Sequence, residues 1–298
     1  MGYLQKYFWL IILISLVLGY IWVWPGLLLK SWLTPILMAM MTMSSLKINL
    51  RELKNFKQEW WRYIFILVAI YLLSVFLIFL SSNFFTPEMY LGLILVTAMP
   101  CGISVVAFSI LFKGQPAKAL IATALAHLLA PLLVPTIVWL FAHQVIKVDI
   151  VSLFYLVFKL VIIPIILAEL IKYFHWDKFL EKYITASNTI FVAMLNWGTM
   201  APVAYLISWQ NKTLLVALLA SLLIIVLQIF LGWLFGRSRE EKITWSITNF
   251  YKNTGLAAVI ALSSFSPAAV LGVVAYMTVN NAILAPLQYI FKTKKLRN

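Results

Sequence analysis

The sequence predicts an all-α integral membrane protein. Ten transmembrane helices would form two inverted five-helix repeats, with helices four and nine broken where they cross. Three observations carry this. Of 298 residues, 64% are hydrophobic and 11% charged, with a mean hydropathy of +0.99; soluble domains carry about 25% charged residues. Apolar stretches of roughly the 20 residues a bilayer requires recur along the chain. Two of them are interrupted alike. Pro100-Cys101-Gly102 and Lys252-Asn253-Thr254-Gly255 each precede an apolar run, then a proline (Pro116 or Pro267), then a segment containing Leu-Ala-Pro-Leu, at 129–132 and 284–287.

Taken in order, the first span is expected at 8–24. No small-residue cleavage site follows it, since Trp22, Val23, Trp24 and Pro25 are bulky or rigid, so it reads as a retained span and not a signal peptide. The second, 27–46, has Lys30 at its start and Thr42, Ser44 and Ser45 at its end. Spans three to six are placed at 63–81, 88–112, 117–141 and 150–171, the fourth carrying the first break. The seventh, 185–208, holds Asn188, Asn196 and Thr199, and the eighth covers 213–236. The ninth, 244–264, is polar for a span, with Thr248, Asn249, Lys252, Asn253 and Thr254. The tenth is 267–291. The chain then forms one transmembrane domain, 1–298, with repeat one at about 1–141 and repeat two at about 150–291.

Basic residues orient the spans. With both termini in the cytoplasm of a cell-membrane protein, the outer side holds only Lys30, Lys147 and Lys212. The inner side holds, among others, Lys6, Arg51, Lys54, Lys57, Lys113, Lys118, Arg237, Lys294, Lys295 and Arg297. That asymmetry satisfies the positive-inside rule. An odd number of spans per repeat gives the halves opposite orientations. Trp22, Trp24, Trp60, Trp61, Trp209 and Tyr289 fit interfacial anchors. The net charge of +14 lies between apolar spans and not on one soluble face, which argues against a nucleic-acid partner. A single cysteine excludes an internal disulfide and a thiolate metal site of its own.

Matched breaks in two halves of a hydrophobic chain point to a transporter's binding site. Pro100 lacks a backbone donor, and Gly102 and Gly255 let the chain leave helical geometry. Each half-helix that follows starts with unpaired N–H groups suited to an anion. Candidate substrate contacts are Gly102, Ile103 and Ser104 at one break and Lys252, Asn253 and Thr254 at the other. Lys252 is the most unusual residue: a mid-span ammonium costs about 2.5–3.5 kcal/mol on insertion scales and needs a partner. Thr248, Thr123, His127, Asn280 and Asn281 complete the expected crossing region. His127 reads chiefly as a hydrogen-bonded structural residue, with a proton relay as the alternative. The asparagine pair is expected near it if the repeats cross. Lys159 has a weaker case, within reach of the outer interface. Cys101 reads as small packing at a kink. No catalytic residue, metal site or cofactor is expected, and no enzyme.

At these residues the chain resembles the bile acid:sodium symporter family of secondary transporters. The likeness is clearest in PCGISVVAFSILFKGQPAKALIATALAHLLAPLLVP, residues 100–135, and in Asn253 to Leu287, where Asn-Thr-Gly-Leu-Ala looks like the family's Asn-Ser-Gly-Leu-Ala. The resemblance implies ten spans, crossing broken helices and sodium-coupled import of organic anions. Departures stand where the family holds sodium. Val105-Val106 replace its Ser-Asn, Thr248 its ninth-span glutamate and Lys252 its glutamine. Thr123 matches its fifth-span hydroxyls. The reading is therefore a carrier of a small organic anion working by alternating access. The Lys252 ammonium would replace a sodium ion, leaving either a uniporter or a carrier coupled to protons through Lys252, since burial lowers a lysine pKa. Arsenite efflux through Cys101 is the second reading, because arsenical-resistance carriers use a Pro-Cys in the fourth span. An intramembrane enzyme or sensor ranks third.

Overall fold

In the computed structural model, residues 8–47, 59–208 and 210–293 are described. Among them the regular structure is helical apart from one isolated backbone bridge. Seven helical runs are long and apolar enough to cross a bilayer: Val23–Ser45, Trp60–Leu80, Pro116–Ala142, Ile150–Tyr173, Asp177–Leu206, Lys212–Phe235 and Pro267–Phe291. Three shorter apolar helices accompany them, Phe8–Ile21, Pro87–Thr97 and Thr254–Ser264. The chain is an all-helical integral membrane protein.

The helices are α1 (Phe8–Ile21), α2 (Val23–Leu29), α3 (Leu33–Ser45), α4 (Trp60–Val68), α5 (Ser74–Leu80), α6 (Pro87–Thr97), α7 (Val105–Leu111), α8 (Pro116–Ala142), α9 (Ile150–Tyr173), α10 (Asp177–Met200), α11 (Lys212–Phe235), α12 (Arg239–Phe250), α13 (Thr254–Ser264), α14 (Pro267–Ala282) and α15 (Leu284–Thr293). Side-chain caps start several of them. The Asp149 carboxylate accepts from Val151 and Ser152 N–H, the Asn211 side chain from Leu214 N–H and the Ser238 hydroxyl from Glu241 N–H. These are the oxygen-bearing side chains that satisfy first-turn donors.

Several boundaries differ from the sequence expectation. The first helix ends at Ile21, and the next membrane run begins at Val23, with Pro25 in its first turn, where a missing N–H does no harm. The Asp177–Leu206 run begins eight residues before the expected 185, because its polar first two turns remain helical outside the apolar stretch. The Trp60–Leu80 run contains a π turn, Ala69–Leu73, that hydropathy cannot register. The Pro267–Phe291 run changes helix at Ile283.

Burial sorts the helices. Every residue of α6 from Met89 to Thr97 is buried, and so is most of α14. The two pack with almost nothing between them: a Cβ on Gly92 would lie 1.9 Å from the Ala269 carbonyl oxygen, and one on Gly272 2.6 Å from that of Met89. By contrast, α11 exposes Leu219, Leu223, Val226, Phe230 and Leu234, one stripe at helical spacing that suits lipid. Trp22, Trp24, Trp60, Trp61 and Tyr289 are exposed; Trp209 and the basic residues Lys6, Arg51, Lys54, Lys57, Lys294, Lys295 and Arg297 lie outside the described residues. Lys159 is exposed on α9.

Candidate functional site

Two unwound stretches lie side by side in the protein interior. Residues 98–104 separate α6 from α7, and 251–253 separate α12 from α13. They pair antiparallel at Cys101 and Lys252. Gly102 N–H donates to Tyr251 O at 2.6 Å, and Asn253 N–H to Pro100 O at 2.9 Å. Backbone groups freed by unwinding thus satisfy one another, as a region without water demands. Among the described residues no glycine has positive φ. Gly102 serves close approach instead, since a Cβ there would sit 2.7 and 2.8 Å from Tyr251 ring carbons. Gly255 does not break the helix. It lies in the first turn of α13, and the unwound residues are Tyr251 to Asn253. Asn253 ends the break by capping α13, its Oδ1 accepting from Leu256 N–H at 3.1 Å.

Lys252 is 1% exposed. Its Nζ donates to the backbone carbonyl of Ile70 and, at 3.4 Å, to that of Met99. Ile70 lies within the π turn, where the irregular ladder presents a carbonyl sideways. The ammonium therefore bridges the Trp60–Leu80 run to the first break, with backbone oxygens as its only described hydrogen-bond partners. Lys252 N–H reaches Asn280 Oδ1 at 3.3 Å, and Tyr251 OH reaches Asn281 Oδ1 at 3.3 Å. The buried Nδ2 atoms of both asparagines have no partner among the described residues.

On the other side of the crossing, Cys101 Sγ donates to Thr123 Oγ1 at 3.5 Å. His127 Nδ1 faces the Thr123 carbonyl at 2.8 Å and its Nε2 faces Asn253 Nδ2 at 3.4 Å. The hydrogen-bond partner of His127 is thus Asn253, while Asn280 and Asn281 bond Lys252 N–H and the Tyr251 hydroxyl. Thr248 turns its hydroxyl onto its own helix, donating to Thr244 O at 2.8 Å, and Val105 is fully buried.

A cavity of about 30 Å³ opens at the crossing, and all six residues expected to touch substrate line it: Gly102, Ile103, Ser104, Lys252, Asn253 and Thr254. Its far wall comes from Ser44 on α3 and Asn188 and Asn196 on α10, which the sequence left at the margin. Through Ser44, Ile103, Ser104 and Asn188 it adjoins a vestibule of about 130 Å³ between Phe8, Phe108, Thr185 and Lys47. The backbone donors are fewer than two free half-helix ends would supply. The N–H groups of Gly102, Asn253, Thr254 and Leu256 are already engaged, that of Thr254 with Lys252 O at 2.9 Å.

A second polar centre went unseen in the sequence. Arg62 on α4 forks onto both Glu241 oxygens at 2.8 and 2.9 Å and also donates to Phe235 O at 2.8 Å. Lys118 bridges Glu241 and Glu59, the latter at 2.7 Å, and Arg237 N–H donates to Glu241 at 2.7 Å. Burial alone would raise the Glu241 carboxyl; the Arg62 and Lys118 hydrogen bonds overcome it and bring its pKa down to about 2. The Lys118 hydrogen bond likewise lowers Glu59.

A multi-pass helical bundle with matched breaks meeting around a buried cavity defines a class, the membrane transporters. Comparison with known sequences gives the family within it. The chain belongs to the sodium bile acid symporter family, whose sequence model ("Sodium Bile acid symporter family") matches residues 34–210. A curated relative from Bacillus subtilis (strain 168), described as the uncharacterized sodium-dependent transporter YocS, is 27% identical over 249 residues, covering 80% of this chain and 76% of that one.

Proposed function

We propose that this protein is a secondary carrier that moves a small organic anion across the cell membrane by alternating access, and that it needs no sodium. The observation that carries the proposal is the Lys252 ammonium, seated on the carbonyls of Ile70 and Met99 behind the crossing. A fixed cation bonded to backbone oxygens supplies there the charge that a bound hard cation would bring. The residues around it support the same reading. Among the described residues, Val105 offers no side-chain oxygen, the Thr248 hydroxyl is bonded to its own helix and the Thr123 hydroxyl accepts from Cys101. Hard cations are held by several converging oxygens. Ten spans in two inverted repeats, with both termini in the cytoplasm, fit the antiparallel meeting of the two breaks. The three short apolar helices, together with α7, would fill the spans that the seven long runs leave.

Uptake into proteoliposomes tests the proposal, using radiolabelled taurocholate and a set of short monocarboxylates under inward sodium or choline gradients. Rates equal within about twofold are expected, with loss of uptake in Lys252→Ala. A tenfold stimulation by sodium, or unaltered uptake by Lys252→Ala, overturns it.

A further inference from the structure

Four titratable side chains are buried at the crossing, Cys101, Tyr251, Lys252 and His127, and the surroundings of the two basic ones differ in a way that separates their roles. Lys252 Nζ ends on backbone carbonyls, which cannot take a proton from it. His127 is 4% exposed yet lines a cavity of about 30 Å³ shared with Thr123, Ser45 and Glu169. Glu169 pairs with Lys172 at 2.7 Å, and its side chain is 44% exposed. One cavity thus touches both a partly exposed carboxylate and the imidazole.

The hydrogen bonds fix the state of the ring. A carbonyl only accepts, so Nδ1 carries the proton toward Thr123 O. Nε2 is then the acceptor, and Asn253 Nδ2 donates to it. The same orientation leaves Asn253 Oδ1 to cap Leu256 N–H. One amide therefore serves two neighbours that need opposite ends of it.

We infer that His127 Nε2 is the binding site of a coupling proton, and that its occupancy is read by Asn253 at the substrate cavity. This deepens the proposed sodium-independent carrier by assigning the coupling ion and its residue. A proton arriving through the Glu169 cavity takes the Nε2 lone pair and makes Nε2 a donor. It then faces a second donor, Asn253 Nδ2. The amide must rotate to offer Oδ1, which turns Nδ2 against Leu256 N–H and removes the cap of α13. Proton binding and the geometry of the half-helix at the cavity become one event.

The groups around His127 are compatible with this. The Trp60–Leu80 run contributes Tyr71, whose hydroxyl donates to Ala126 O. The crossing contributes Cys101 and Lys252, α9 contributes Glu169, and α7 carries no titratable residue. On α6, Tyr90 bonds to Phe141 O near the end of α8. On α12, Glu241 bonds to Lys118 nine residues before His127.

Hydrogen–deuterium exchange of the whole protein in detergent, without substrate or sodium, tests the inference at pH 7.5 and 4.0, the lower value chosen because a buried imidazole resists protonation, after correction for intrinsic exchange. Losing an N-cap of about 1 kcal/mol corresponds to about a fivefold loss of protection. That loss is expected over residues 254–258 of the wild type at the lower pH and is expected to vanish in His127→Gln. Asn253→Ser keeps a capping oxygen but gives up the histidine contact, so it too should lose the pH dependence; it stands in if His127→Gln does not fold. Protection of 254–258 that ignores pH in the wild type, or the same pH dependence in either variant, overturns the inference. Because no substrate is involved, this failure would leave the carrier reading intact, and failure of the uptake experiment would leave this result standing.

Discussion

Replacing Glu241 by Gln removes one negative charge and leaves the side chain's shape. In the folded protein, Arg62 then keeps Glu59, at 3.3 Å, as its one described carboxylate, together with the Phe235 carbonyl and at most one neutral amide oxygen. The loss can be sized two ways. Lowering a carboxyl from 4.5 to about 2 corresponds to about 3 kcal/mol at about 1.4 kcal/mol per pH unit. Removing one partner of a buried ion pair costs about 3–5 kcal/mol; the side chains of Arg62 and Glu241 are 4% and 5% exposed, so that range applies. At roughly 2–4 °C per kcal/mol for a large domain, the midpoint of thermal unfolding in detergent should fall by about 6–20 °C. The sign with pH follows from the lowered pKa. The contribution is complete above about 4.5 and disappears as pH falls toward 2. The gap between wild type and Glu241→Gln should therefore stay constant from pH 8 to 5 and narrow only below about 4.5. A midpoint within about 1 °C of wild type at pH 7 would refute the reasoning, as would a gap that closes near neutrality.

Lys118 is 22% exposed at its side chain, so Lys118→Ala should cost no more than about 1 kcal/mol by the same melting assay, well short of Glu241→Gln. Thr248→Glu combined with Lys252→Gln restores the family's residues at both positions; sodium chloride should then raise the melting temperature relative to choline chloride, while the wild type responds equally to both salts. Gly92→Ala forces a Cβ to 1.9 Å from the Ala269 oxygen, and overpacking of this kind costs about 1–3 kcal/mol or more, read as a lower melting point or loss of monodisperse protein on gel filtration.

The breaks were legible because they are local. Pro100, Gly102 and a lysine inside an apolar run stand out one residue at a time, and their neighbours 103, 104, 253 and 254 came with them onto one cavity. What was not legible is what depends on distant pairing. Arg62 and Glu241 stand 179 residues apart, and each reads singly as a loop-end charge. The π turn leaves no signature in Ala69–Leu73, since all five residues suit an ordinary membrane helix. Gly255 was misread for a related reason. A glycine beside a polar cluster looks like the hinge, but Asn253 already caps the following helix, and Gly255 only keeps room for Leu195 and Leu37. That His127 bonds Asn253 was not legible either, because sequence order does not say which face of a crossing a side chain occupies.

The seam between α6 and α14 has one more implication. Where two backbones touch at Gly92 and Gly272, there are no side chains to ratchet past one another, and neither rod can slip or roll without a collision. These helices must travel as a single piece. Because α6 leads straight into one unwound strand and α14 carries the asparagines that hold the other, the pairing at the centre rides inside that piece. Any opening and closing of the pathway has to be sought at the boundaries with the remaining helices, where Ser44 and Asn188 face the cavity from α3 and α10.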